Sequence, residues 1–83
     1  MPLPSLSKRF GTAVRFRRMA AEMSQEALAE KAALHPTYVS MVERGIRNPT
    51  LDVAARLAKA LKVSLPELIE EAQQLRGSDL KKE

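Results

Sequence analysis

Apolar residues recur along this chain at helical spacing, in short blocks separated by polar breaks. Phe10 and Val14, with Leu6 one turn earlier, predict a first helix whose inner face they form. Ser5 or Ser7 can cap it, and it should run to about Glu22. Ser24 is the next capping residue, and Leu28, Ala29 and Ala32 make one face of a second helix. A break follows at Ala33-Leu34-His35. Pro36 suits the first turn of a third helix, where its missing N–H leaves nothing unsatisfied. Val39 and Val42 are that helix's inner face, so Thr37, Ser40, Met41 and Arg44 turn outward. Gly45 stops it, and Pro49 forbids early resumption.

Thr50 then caps a fourth helix over 51–61, with Leu51, Ala54, Ala58 and Leu61 as its inner stripe. Ser64-Leu65-Pro66-Glu67 has the capping-box pattern, so a fifth helix begins near Leu65 and fades by Gln74. Its apolar stripe is Leu65, Leu68, Ile69 and Ala72. No alternating pattern predicts a strand. The reading is all-α: one compact five-helix domain over 5–75, between a loose 1–4 and a frayed polar tail over 76–83.

Composition narrows the function. With 83 residues there is room for one small core, which is marginal unless something such as oligomerisation supports it. There is no Cys and one His, so a disulfide and a thiolate zinc site are excluded as staples. No metal or cofactor is expected. No apolar run approaches a membrane span and the first residues lack a signal peptide's apolar core, so the expected location is cytoplasmic, at the nucleoid. The formal net charge of +4 favours a polyanionic partner. That charge is concentrated early: Lys8, Arg9, Arg15, Arg17 and Arg18 precede Met23 against Glu22 alone. No acid/base pair or cofactor loop is visible, so an enzyme is not expected. His35 is read as a turn residue that caps the third helix or neighbours a phosphate.

Two short helices at a steep angle, the second with polar residues outward, have the design of a helix-turn-helix. The stretch resembles the Xre-type helix-turn-helix family, which includes lambdoid phage repressors and restriction–modification controller proteins. The residues carrying the likeness are Ser24-Gln25-Glu26-x-Leu28-Ala29-x-Lys31-Ala32, Thr37-Tyr38-Val39-Ser40-x-Val42-Glu43-Arg44-Gly45 and Arg47-Asn48-Pro49-Thr50-Leu51. It extends from about Phe10 to Ile69, and controller proteins look nearest. The resemblance implies a lambda-repressor-like fold and a homodimer on a palindromic operator in double-stranded DNA, regulating transcription of its own promoter. A phage-type repressor and an antitoxin-like regulator stay open within the class. A helical protein-interaction module without DNA binding is the rival from another class.

The resemblance also assigns roles. Thr37, Ser40 and Met41 fall where relatives meet bases, although Met41 is equally readable as a gap-filler. Arg44 can take a guanine or clamp a phosphate. Pro36 replaces a polar base-contacting residue, which shifts readout toward Thr37, Met41 and DNA shape. Gln25, Arg17, Tyr38, Arg47 and Asn48 are phosphate candidates. Arg18 and Glu43 are expected as an interior ion pair. Leu65, Leu68 and Ile69 are the expected dimer surface, with Phe16 a further residue lacking a core role. Glu26 and Glu30 are either a contact for the sigma subunit of RNA polymerase or ordinary solvated surface. Glu22, Ala33 and Lys62 stand where the family usually has Gly. At Ala33 the backbone either takes positive φ, at a strain of about 1 kcal/mol, or reshapes the turn.

Overall fold

The computed structural model describes residues 4–80. The element order is α1 Leu6–Ala20, α2 Gln25–Ala32, α3 Pro36–Glu43, α4 Leu51–Ala60, α5 Leu65–Gln74 and a single turn, α6 Gly77–Leu80. The described residues contain no strand. None of these helices is long and apolar enough to cross a membrane. The expectation of a loose 1–4 falls, for its first three residues, outside the described ones.

Helices α1 to α5 each start where a side chain can take a free N–H group. Ser5, Ser24, Thr50 and Ser64 accept from the backbone N–H three residues on. Ser64 and Glu67 complete a reciprocal capping box. His35 caps α3 through Nδ1, which accepts from the Thr37 N–H at 3.1 Å.

Four helices end alike. Met23, Leu34, Ile46 and Val63 each donate back to the carbonyl five residues earlier, after a left-handed residue that donates three back. That left-handed residue is Glu22 (φ 57°), Ala33 (φ 57°), Gly45 (φ 73°) or Lys62 (φ 60°). The turn at Ala33 therefore keeps the left-handed geometry without glycine; it is not reshaped. Met23, Leu34 and Val63 pack against the core, so their burial offsets the strain beside them. Ile46 is 64% exposed, and there the chain carries glycine. A Cβ at Gly45 would also stand 2.8 Å from Lys8 Cγ.

The core joins Phe10, Ala13 and Val14 of α1, Leu28, Ala29 and Ala32 of α2, and Val39 and Val42 of α3 to Ala54, Leu57 and Ala58 of α4 and Leu68 and Ala72 of α5. Helices α1 and α3 cross at Gly11, where a Cβ would collide with the Val42 carbonyl oxygen. That close crossing sets the depth at which α3 sits.

Several expectations need correction. Leu6 and Leu51 were expected to point inward, but they are 42% and 80% exposed. Both open their helices, one turn before the buried Phe10 and Ala54. Leu57, absent from the expected stripe, is fully buried and takes the central place. Of the tail expected over 76–83, residues 81–83 lie outside the described ones, and 76–80 are not frayed: Asp79 Oδ2 accepts the Arg76 N–H at 2.9 Å, and Leu80 is buried. One apolar residue with a capping aspartate is enough to close a turn there.

Candidate nucleic-acid interface

Residues 37, 40, 41 and 44 share a face because their spacing is i, i+3, i+4 and i+7. In the structure Thr37 and Arg44 are exposed, and Ser40 and Met41 are half-buried beside them. The opposite face is fixed, since Val39 and Val42 have no exposed surface. The helix therefore presents two hydroxyls, a thioether and a guanidinium outward from a rigid base. Hydroxyls can donate or accept, a thioether suits a thymine methyl, and a guanidinium fits the paired acceptors of guanine.

Arg18 and Glu43 brace this helix from behind. Arg18 Nε and Nη2 donate to the two Glu43 oxygens at 2.7 and 3.1 Å. Their side chains are 13% and 3% exposed. Arg18 Nη1 also donates to the Met23 carbonyl at 2.8 Å, which ties the pair to the turn before α2. Buried charge is tolerated only when paired and hydrogen-bonded, and here both conditions hold.

Gln25 differs from expectation. Its amide donates to Glu43 Oε1 at 3.0 Å, so the side chain joins the interior network. The first turn of α2 still offers free N–H groups to an anion. Arg17 departs further from the expected phosphate role. Its Nε donates to Glu71 Oε1 at 3.0 Å, and its Nη2 pairs with Glu71 Oε2. The guanidinium hydrogen bond holds the Glu71 carboxyl below its ordinary value of 4.5, and Arg17 is raised in turn. Arg17 is a clasp between α1 and α5. Arg9 repeats the tie, donating to the Gln73 carbonyl at 3.2 Å.

Tyr38 is half-buried, and Arg47 lies over its ring at 6.0 Å from the centroid. Arg47 and Asn48 are exposed in the loop after α3, on the C-terminal side of the outward face. Glu26 and Glu30 are exposed on α2. Leu68 was expected at a dimer surface, but it is fully buried within the chain's own core and has no area to give a partner. Leu65 and Ile69 are half-buried at the core's edge. Among the described residues no cluster of His, Asp and Glu could hold a metal ion.

One supporting residue went unread in the sequence. Arg56 of α4 donates through Nε to the Ala32 carbonyl at 2.9 Å and through Nη2 to the Ala33 carbonyl. In a helical stripe an arginine reads as solvated surface, and only the packing of α4 beside α2 reveals its target.

An outward polar face on a helix braced against its predecessor, after a three-residue turn, defines a helix-turn-helix. Residues 14–68 match the family described as Helix-turn-helix, and the chain belongs to it. Among its relatives, the control protein C.SmaI of Serratia marcescens is 50% identical over 56 residues, 68% of this chain and 67% of that protein. A Mycobacterium tuberculosis protein named an uncharacterized HTH-type transcriptional regulator is 44% identical over 54 residues. That match covers 65% of this chain but only 39% of the mycobacterial protein. The solved restriction-modification controller protein C.AhdI from Aeromonas hydrophila superposes with a TM-score of 0.72 at 43% identity, covering 74% of this chain and 92% of that one.

Proposed function

We propose that this chain is a transcription regulator that binds operator DNA through α3, of the restriction–modification controller type. The observation that carries the reading is the outward face of Thr37, Ser40, Met41 and Arg44 on a helix whose inner side is fully buried. Such a helix can enter the major groove without rearranging. Arg47, Asn48 and Tyr38, with the start of α2 at Gln25, are the phosphate-positioning set. Arg17 leaves that set because Glu71 occupies it. The likeness to C.SmaI and C.AhdI supports the controller subtype. The role is binding rather than catalysis, in the cytoplasm and on the nucleoid.

The operator is palindromic and the protein binds it as a homodimer. An apolar groove of about 190 Å³ supports the dimer, lined by Leu6, Phe10, Pro49, Leu51 and Ile69 among others. The exposed Leu6 and Leu51 at its rim gain by covering it with a second copy. Glu26 and Glu30 form the patch offered to the sigma subunit when the dimer sits beside a promoter, supported by their exposure.

Selection of bound duplexes from a random pool tests the function. The expected product has two inverted half-sites about one DNA turn (~34 Å) apart. Arg47→Ala should weaken binding to all sequences and lower the slope of log K against log salt by about one. A pool with no enriched sequence, or no binding at low salt, would refute the reading.

A further inference from the structure

We infer that Arg56, which donates to the backbone of the α2–α3 turn, is a positioning residue for base readout. The inference rests on the proposed function and extends it to α4. The orientation of α3 relative to α2 is decided in residues 33–35. Ala33 there is left-handed without being glycine, so the turn is not the conformation its own residues prefer. Backbone bonds hold it from within: the Ala33 N–H is shared between the Ala29 and Glu30 carbonyls, the latter at 3.2 Å, and the Leu34 N–H donates to the Ala29 carbonyl at 2.8 Å. From outside, the burial of Leu34 and the side chain of Arg56 add to that hold. Its planar fork binds the carbonyls of Ala32 and Ala33, the two peptide planes at the pivot. The Ala33 carbonyl direction is set by the rotations on either side of it, and these aim the chain into α3.

The two ends of α3 are held differently. The C-terminal end is fixed by the Glu43–Arg18 pair and by the contact of Val42 with Gly11. The N-terminal end, which carries Thr37, has no ion pair: beyond the buried Val39 one turn in, it depends on the turn and on the His35 cap. An eight-residue helix is about 12 Å long, so a tilt of roughly 10° about its fixed end moves the other by about 2 Å. A base-edge hydrogen bond does not survive that displacement, whereas long side chains can follow a phosphate. Losing Arg56 should therefore cost sequence discrimination more than general DNA affinity.

The test compares wild type, Arg56→Lys and Arg56→Met on two probes: the duplex wild type selects from a random pool, and a mixed-sequence duplex. Lysine keeps the charge but has no fork. Both variants should bind the selected duplex about tenfold more weakly, the loss expected of one base contact. Affinity for the mixed duplex should change less than about twofold for Arg56→Lys. Amide hydrogen exchange without DNA should quicken at Leu34 and Thr37 and stay unchanged in α5. Adding Ala33→Gly to Arg56→Met should restore much of the discrimination, because glycine accepts the left-handed turn unaided. Wild-type affinity in Arg56→Lys would overturn the inference and leave charge alone as the requirement. So would an equal loss on both probes with a salt slope lower by about one, the mark of a phosphate contact. If wild type selects no duplex, the proposed function fails first, and unchanged exchange at Leu34 would then separately end the positioning role.

Discussion

Gly11 and Arg18 show how single residues govern the reading helix from one helix away. Gly11 is the place where α1 has no side chain and the Val42 carbonyl fills the space. Gly11→Ala should destabilise the fold by about 1–3 kcal/mol despite alanine's better helix propensity, because backbone rather than a flexible side chain must move. Urea unfolding measures this. Arg18→Met should cost about 3–5 kcal/mol, since it strands the Glu43 carboxylate at 3% exposure. Stability unchanged in that variant would remove the pair as a structural element. The Arg18 and Glu43 pairing was legible through family likeness. Gly11 was not, because a glycine inside a helical pattern reads as a mild defect until its neighbour is known.

At the scale of elements, helix starts followed from local chemistry. The Ser and Thr caps act over three residues and need no tertiary partner. Helix ends did not follow as directly. Glu22, Ala33 and Lys62 occupy a left-handed position that their own preferences resist. What holds them is the burial of the next residue, Met23, Leu34 or Val63, which is a long-range effect. Lys62→Gly removes the strain but frees the unfolded chain, so it should raise stability by only a few tenths to about 1 kcal/mol, seen as a higher thermal midpoint.

The α1–α5 clasp gives an element-scale pH dependence. Arg17 depresses Glu71, so the pair's contribution is fully present above Glu71's ordinary value of 4.5 and is lost as pH falls through its lower folded value. Wild type should thus exceed Glu71→Gln in stability near neutrality, and the two should converge below pH 4.5. Both partners are more than a third exposed, so solvent screening keeps the difference small. Parallel curves at all pH would show that the clasp contributes nothing.

For the whole molecule, the question is what covers its apolar exterior. Leu51, 80% exposed, lines the same groove as Ile69. Leu51→Glu leaves the core untouched, so helical content should be unchanged. Sedimentation should give wild type twice 9.2 kDa at micromolar concentration and the variant the single mass. Operator affinity should then fall with the loss of the second half-site. A wild type that stays monomeric at tens of micromolar would refute this dimer. The expected dimer surface was partly misassigned, because periodicity marks an apolar stripe without distinguishing its own core from a partner's. Leu68 went to the core, while Leu51, assigned to the core, lies outside.

By itself, the order of apolar, capping and breaking residues determined five helices, the starts of all but the first, where Ser5 and Ser7 stayed open, and the outward set on α3. These are short-range consequences of helix geometry and of hydrogen bonds spanning a few residues. Only the tertiary structure decided what the arginines hold: Arg18 is buried against Glu43, Arg17 is tied to Glu71, and Arg56 is turned onto the α2–α3 turn. The physical reason is that a guanidinium can donate to carboxylate, carbonyl or phosphate oxygens alike. Its role is set by whichever acceptor the fold brings within reach.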